Sequence, residues 1–546
     1  MKLLKHSPRT LLVLVLLTGA CSREEPRIAR EVPASQEVIA AVDRALAAAG
    51  VSGAPEAPID DKSIAVLPFS DLSENGDQAY FAQGLSHHLV NRLATIPEMQ
   101  VAGRESSFYF QDRDAMPSDI GEALQVANML RGSVSRSGNN LRVTTQLVRA
   151  DGDDEIVEST EIWSQTFEGE LADVFAIQDE IVAAVLSALN VTRNPGELVV
   201  SGMTNDTDAY DSLLQAQALY HQFSPDNVIS AINLLEEAVQ IDSRFGQAWL
   251  MLGTIYDESQ LILSQGQAMD FPAQAAMAFA QAEQQAPQMP ALMLVEAGKL
   301  RDAGRFLEAE NMYQQYFAQY GYSMARAMEE YGHMLARTGQ FNEAIAMFNR
   351  ARRADPFSPR FIYQLALHEL VRGQTPEATR LTAYGMELDS EELLFHALEW
   401  QVAMREGELD EAAALIREYF EFRQNNEDSI ISSQFMETFA DILELNDFDT
   451  STDAIIDMIN DPSVSPLELG YVARLVALMG QPEIALDYFF AGEADAAVWD
   501  KVYDDMRRLP DFNRLLQEKG MVDYWRETGK WGDFCVAAGG RDFVCK

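Results

Sequence analysis

Five alanines recur along this chain at nearly one interval. Ala275, Ala309, Ala344, Ala378 and Ala412 stand 34, 35, 34 and 34 residues apart. Five residues before four of them sits a glycine, at Gly304, Gly339, Gly373 and Gly407. Four residues after each alanine comes Phe279, Tyr313, Phe348, Thr382 or Ile416. A fixed period of this length marks stacked supersecondary units rather than one closed core. The residue types fit a helix–turn–helix unit. Glycine accepts the left-handed backbone of a tight turn. A small alanine lets two helices approach, and the larger side chain four residues on fills the facing gap. One such hairpin buries too little apolar surface alone, so neighbours must stack into a continuous core. A generic helical bundle gives no reason for this spacing. The expected architecture over 205–490 is an all-α superhelix.

The unit at 325–358 carries Gly332, Leu335, Gly339, Ala344, Phe348, Ala351 and Pro356, and Trp249–Tyr256 reads Trp-Leu-Met-Leu-Gly-Thr-Ile-Tyr. Period and pattern together resemble the tetratricopeptide repeat (TPR). The unit opening at Trp249 has its second helix about ten residues late against that period, so Leu261–Asp270 is expected to lengthen the helices or bulge as a loop. Ala454 marks a degenerate unit, and Gly480, Ala485 and Phe489 recover the register. The resemblance implies a curved stack whose first helices line a groove. Carried over by the Gly and Ala of the 325–358 unit, that face takes Arg326, His333 and Arg337, with Arg301 and Arg405 at nearby places in neighbouring units. The expectation is a local positive potential that receives an acidic peptide or a C-terminal carboxylate.

Apolar residues make up 47% of the 546 and charged residues 23%, which excludes wholesale disorder. Met1–Arg9 holds Lys2, Lys5 and Arg9, Leu11–Leu17 is an unbroken apolar run, and Thr18-Gly19-Ala20 precedes Cys21. A basic head, a short apolar middle and small residues before a cut describe a secretory signal over 1–20. The run is too short to cross a bilayer, which takes about 20 apolar residues. Leu17-Thr18-Gly19-Ala20-Cys21 resembles the bacterial lipobox, with Thr18 where leucine is commoner. That resemblance implies lipidation of Cys21, and Ser22 after it implies the outer membrane of a Gram-negative bacterium, with the protein facing the periplasm. Residues 21–61, rich in Pro, Ala and acid, read as the lipidated tether. Formal charge is −44; without 1–20, 38 basic residues face 85 acidic ones, or −47. Such a chain is repelled by nucleic-acid phosphates, so no nucleic-acid partner is expected.

Residues 62–192 change character. Ile64–Phe69 reads as a buried strand, Gln78–Leu93 as a helix, Met99–Ala102 as a second strand and Ser118–Leu124 as a short helix. Met129–Arg136 and Leu141–Val148 flank Ser137-Gly138-Asn139-Asn140, a hairpin signal. Glu161–Phe167 is expected as a further strand and Leu171–Leu189 as a helix, completing an α/β domain with a mixed sheet. SIAVLPF (63–69), AYFAQGL (79–85), VAGRESSFYF (101–110), IGEALQV (120–126), LRGSVSRSGNNLRVTTQLV (130–148) and FAIQDEIVAAV (175–185) resemble, in order, the TolB-like amino-terminal domain. That domain is related to the one in FlgO-type envelope lipoproteins and recurs ahead of TPR repeats. Family members often carry a DNA-binding or adenylate-cyclase domain upstream; the order signal, tether, α/β domain leads to the expectation of neither. His87-His88 stand where the family has acidic residues, and are expected as two surface imidazoles.

Over 491–546, Leu509–Leu516 and Gly520–Cys535 resemble the closing segment of TolB-like TPR proteins, which often end with a second cysteine, as Cys545 here. Tyr524, Trp525, Trp531 and Phe534 are expected to cap the open apolar face of the last hairpin. With Cys21 lipidated, an oxidising periplasm favours a disulfide between Cys535 and Cys545. No Gly-x-Ser-x-Gly elbow, phosphate-binding loop or His-Glu-x-x-His occurs. Asp151-Gly152-Asp153-Asp154-Glu155 reads as a polar turn rather than a cation site. The expectation is no enzyme, no cofactor and no metal, but an envelope scaffold that binds protein or peptide partners. The alternative is a regulatory or sensor subunit whose α/β domain binds a small ligand.

Overall fold

The computed structural model describes residues 59–545 apart from 112, 114, 151–160, 193–201, 221–224, 264–269, 390–392, 425–432, 462–463, 465, 493–495 and 540–542. The signal, the lipidation cysteine Cys21, nearly all of the tether and Asp151–Glu155 therefore lie outside the described residues.

The sheet contains β1 (Ile64–Val66), β2 (Ser70–Asp71), β3 (Asn128–Ser137), β4 (Asn140–Arg149) and β5 (Glu161–Glu170). Its order is β1-β3-β4-β5, with β2 also on β3. β1 and β2 run parallel to β3, and β3, β4 and β5 form an antiparallel meander. The expected strand over 64–69 thus ends at Val66, Leu67-Pro68-Phe69 lies outside it, as a proline without an N–H favours, and β2 starts only at Ser70. Met99–Ala102 is not a strand: it makes a single parallel bridge, Ile64 to Val101. The chain turns there at once into a short helix that the periodicity did not reveal.

The helices of this half are α1 (Ala79–Ala94), α2 (Arg104–Tyr109), α3 (Pro117–Leu124) and α4 (Val174–Ala188). Alternation along the strands sorts the core. Leu130, Val134, Val143 and Leu147 pack with Phe81, Leu85 and Val182 of α1 and α4, while Met129 and Val148 pack with Ile120 and Leu124 of α3.

Sixteen helices among the described residues from 207 to 491 form eight successive hairpins. They are α5 (Thr207–Tyr220) with α6 (Pro225–Ile241), α7 (Gly246–Leu263) with α8 (Phe271–Gln285), α9 (Pro290–Asp302) with α10 (Phe306–Tyr320), and α11 (Ala325–Arg337) with α12 (Phe341–Ala354). Next come α13 (Pro359–Val371) with α14 (Thr375–Leu388), α15 (Leu393–Glu406) with α16 (Leu409–Gln424), α17 (Ser433–Leu445) with α18 (Phe448–Asn460), and α19 (Pro466–Leu478) with α20 (Pro482–Ala491). This is a TPR-like superhelix behind an α/β domain. The repeating alanines all lie on second helices and are at most 3% exposed. Phe348 shows why the aromatic follows: a Cβ on Gly332 of the preceding helix would come within 2.7 Å of its ring. The turn glycines Gly304, Gly339, Gly373 and Gly407 have φ of 72°, 80°, 85° and 82°. Part of the surplus at Leu261–Asp270 lengthens α7, and Ala454 sits in α18.

The two largest hydrophobic cores run the length of the molecule between them. One joins the sheet to the first two hairpins: Tyr210 of α5 meets Phe81 edge-on at 6.2 Å and takes a hydrogen bond from Gln178 Nε2 at 3.0 Å. The other runs from α9 to the C-terminal segment. That segment contains α21 (Asp504–Arg507), α22 (Phe512–Glu518), α23 (Met521–Thr528), β6 (Cys535–Ala537) and β7 (Phe543–Cys545). Cys535 and Cys545 are joined by a disulfide.

The closing aromatics are not confined to the last hairpin. They turn back across earlier ones. Trp525 Nε1 donates to the Thr338 carbonyl at 3.0 Å, and Trp499 Nε1 to the Arg337 carbonyl at 3.1 Å. Phe534 meets Phe341 at 5.6 Å, and Tyr524 meets Phe306 at 6.1 Å. Trp531 packs on Trp525 at 5.5 Å. The last carbonyls of a helix have no intrahelical partner, and glycine turns leave a flat surface beside them. Indoles satisfy both needs at once. Contact with the last hairpin is made earlier in the segment, by Tyr503 against Phe489 at 5.1 Å.

Candidate partner-binding face

The first helices of successive hairpins stand side by side, so residues three and four apart on one helix meet their counterparts on the next. This places Glu258 of α7, Arg301 and Asp302 of α9, Arg326, Glu329, Glu330, His333 and Arg337 of α11, and Arg360 of α13 in one network. Arg326 reaches Glu258 at 2.7 Å and Glu330 at 2.9 Å. Arg301 binds Glu330 at 2.9 Å and Asp302 at 2.8 Å, and Arg337 binds the same Asp302 at 3.0 Å. Arg360 Nε donates to both oxygens of Glu329, at 2.7 and 2.9 Å, and His333 stands 3.8 Å from it. The Tyr220 hydroxyl donates to Glu258.

Four of the five basic residues named from the repeat pattern therefore do come together: Arg301, Arg326, His333 and Arg337. The positive potential expected of them is not what they form. Four arginines, counting Arg360, face the four carboxylates of Glu258, Asp302, Glu329 and Glu330. The physical reason lies in the spacing itself. Glu329 and Glu330 follow Arg326 by three and four residues, the positions that share its helix face. That signal was present; Glu258 and Arg360, brought in from neighbouring hairpins, had none.

Glu329 is wholly buried. Burial pushes its pKa up, but neighbouring His333, Arg360 and Arg326 outweigh this and bring it down to about 2. Glu330 is lowered as well: burial opposes, and Arg326 and Arg301 prevail. Both remain ionised near neutrality. A buried pair adds little net stability against an apolar substitute, but leaving one partner alone is costly. The face is thus a polar surface of paired arginines and carboxylates, with Asp257 adding a further acid beside Glu258, Asp302 and Glu330. Its accessible cations are Arg326 and Arg360, 39% and 43% exposed.

Arg405 lies apart. It binds Asp500 of the C-terminal segment and donates to the Leu370 carbonyl at 3.1 Å. The histidine pair also departs from expectation. His88 is buried rather than at the surface, 5.6 Å from the Tyr210 ring, and burial, then Arg92, lowers its pKa to about 4. His87 lies within 2.9 Å of Asn91 Nδ2.

A second concavity, of about 680 Å³, opens in the α/β domain where Leu67-Pro68-Phe69 interrupts the strand. Phe110, Gln83, Arg131 and Ser133 are among its walls. Among the described residues no group of His, Cys, Asp and Glu could hold a metal ion, and no helix is long and apolar enough to cross a membrane.

No family model matches the chain. A protein of Rhizobium meliloti (strain 1021) named "Putative adenylate cyclase 3" is 30% identical over 216 residues, which is 39% of this chain and 36% of that protein. Among solved structures, PilW, described as a widely conserved type IV pilus biogenesis factor, is 20% identical over 41% of this chain and 96% of its own, with a TM-score of 0.30. The TPR protein YrrB, described as having an unusual peptide-binding site, is 16% identical over 35% and 92%, at 0.22. Yeast Tom70 is 17% identical over 50% and 54%, at 0.30. The fold stands on the helix pairing itself.

Proposed function

We propose that this chain is a non-enzymatic cell-envelope lipoprotein, anchored through Cys21 in the outer membrane and facing the periplasm. Its TPR superhelix serves as a scaffold that holds protein or peptide partners on the face of α7, α9, α11 and α13. The observation that carries the reading is that face: half-exposed Arg326 and Arg360 held by buried Glu329 on packed helices. Arginines fixed in this way present donors at little cost in ordering. The lipobox-like sequence at Cys21 and the TolB-like pattern over 62–192 support the envelope placement.

The test is crosslinking of the lipidated chain in envelope fractions, beside the double variant Glu329→Met/Arg360→Met. Removing both partners together leaves neither Glu329 nor Arg360 facing the space of the other, and the melting temperature of the variant checks that it is folded. The reading expects a defined partner captured by the native chain and lost in the variant. Capture that is unchanged in the variant would contradict it. Turnover of ATP to cyclic AMP by the purified chain, the assay that the Rhizobium relative's name suggests, would also contradict it.

The cleft at Leu67-Pro68-Phe69 favours one rival, a sensor whose α/β domain takes a small ligand. Ligand-dependent protection confined to 62–192 would support that rival.

A further inference from the structure

The strongest unassigned feature is a pocket of about 230 Å³ between α15, α19 and residues 500–502. Three cations line it: Arg405, Arg474 and Lys501. The single carboxylate among its walls is Asp500, 1% exposed. The lining therefore carries a net +2, in a chain whose formal charge is −44. Asp504 and Arg507 beside it pair with each other and cancel.

The two guanidiniums are fixed in place. Asp500 binds Arg405 with one oxygen and Arg474 Nη2 with the other, at 2.9 Å to Arg474. Asp500 also accepts the Val502 N–H at 2.9 Å, which holds its carboxylate between them. Arg474 Nη1 donates to Gln401 Oε1 at 2.6 Å. Lys501 completes the basic rim, its stem lying over Gly373, where a Cβ would be 3.3 Å away. Burial lowers the Arg405 pKa against the opposing charge of Asp500, whereas for Arg474 burial is outweighed by Asp500 and the neighbouring tyrosines, which raise it.

Of the remaining walls Gln401 is polar, its Oε1 taken by Arg474, and Met404, Leu478 and Val502 are apolar. The volume falls below the roughly 300–1,000 Å³ of sites for drug-sized ligands. We propose that this pocket binds a small organic monocarboxylate, its anion drawn by the cationic rim and its short aliphatic group set against Met404, Leu478 and Val502. A field focused by low-dielectric walls concentrates a compact anion, and the aliphatic walls favour an organic acid over inorganic phosphate. The proposal is independent of partner binding on α7–α13.

The experiment is titration of the purified full chain with 3-methylbutyrate, followed by calorimetry and by the melting temperature. The parallel arms are 3-methylbutyramide, inorganic phosphate, and the variant Lys501→Glu, which brings the lining to zero net charge. Lys501 is exposed, so the variant is expected to fold. The expected result is saturable binding of the acid that weakens at least tenfold in Lys501→Glu and is absent for the amide. No saturable binding, equal binding of the amide or of phosphate, or binding unchanged in Lys501→Glu would overturn the proposal.

Discussion

The two margins of the superhelix are sealed by different chemistry. On one, the α/β domain docks on the loops between hairpins. The Gly103 N–H donates to the Ala354 carbonyl at 2.6 Å, the Ser106 N–H to Asp355 Oδ1 at 2.7 Å, and the Phe357 N–H to Ser106 Oγ at 2.8 Å. Tyr109 stacks on Phe357 at 4.4 Å, and Ser323 Oγ donates to the Met99 carbonyl at 2.5 Å. On the other margin, the C-terminal segment lies on the turns within hairpins. There a Cβ on Gly304, Gly339 or Gly373 would stand 2.8 Å from the Lys519 carbonyl oxygen, 3.3 Å from the Trp499 ring and 3.3 Å from Lys501. A loop between hairpins offers a carboxylate that can cap a foreign helix. A glycine turn offers open carbonyls and a flat surface that suits an indole. The first contact turns on a buried carboxylate, Asp355; the second turns on buried indoles, Trp499 and Trp525.

Trp499→Ala should break the aromatic margin with the largest effect. The side chain is wholly buried, and such truncations cost about 3–5 kcal/mol. Urea unfolding of the full chain measures it. Asp355→Ala should break the polar margin at a smaller cost, about 1–3 kcal/mol, because the Ser106 N–H loses its partner. The margins share no residues, so the double variant should lose the sum to within about 0.5 kcal/mol.

The smallest effect is the most selective. Burial, opposed by hydrogen bonds from Ser106, raises the Asp355 pKa from 3.8 to about 7. Between those values the folded chain holds a proton that the unfolded chain has released. Stability from this group is therefore full below pH 3.8 and falls as pH rises toward about 7. Asp355→Asn should flatten that slope, and Trp499→Ala should leave it unchanged, both read from melting temperature against pH.

The superhelix was legible because each hairpin repeats a local rule: glycine at the turn, alanine at the crossing, a large side chain opposite. Gly332 and Phe348 lie only sixteen positions apart. The candidate face was half legible. Arg326 with Glu329 and Glu330 is one helix's own spacing, whereas Arg360 and Glu258 depend on how hairpins stack. The fold-back of Trp499 and Trp525 onto Arg337 and Thr338 joins residues more than 150 positions apart. No periodicity carries such information. His88 was misplaced for the same reason, since Tyr210 covers it from another element.

Native-state hydrogen exchange in mild denaturant tests the fold-back most directly. The Asp533 N–H donates to the Gly339 carbonyl at 2.8 Å, and the Asn342 N–H to Asp533 Oδ2 at 3.0 Å. Segments that open as one unit share one opening free energy. Residues 531–535 and 338–342 should therefore lose protection together. If 531–535 opened with α19 and α20 while 338–342 stayed protected, the C-terminal segment would be an end cap and the account would fail.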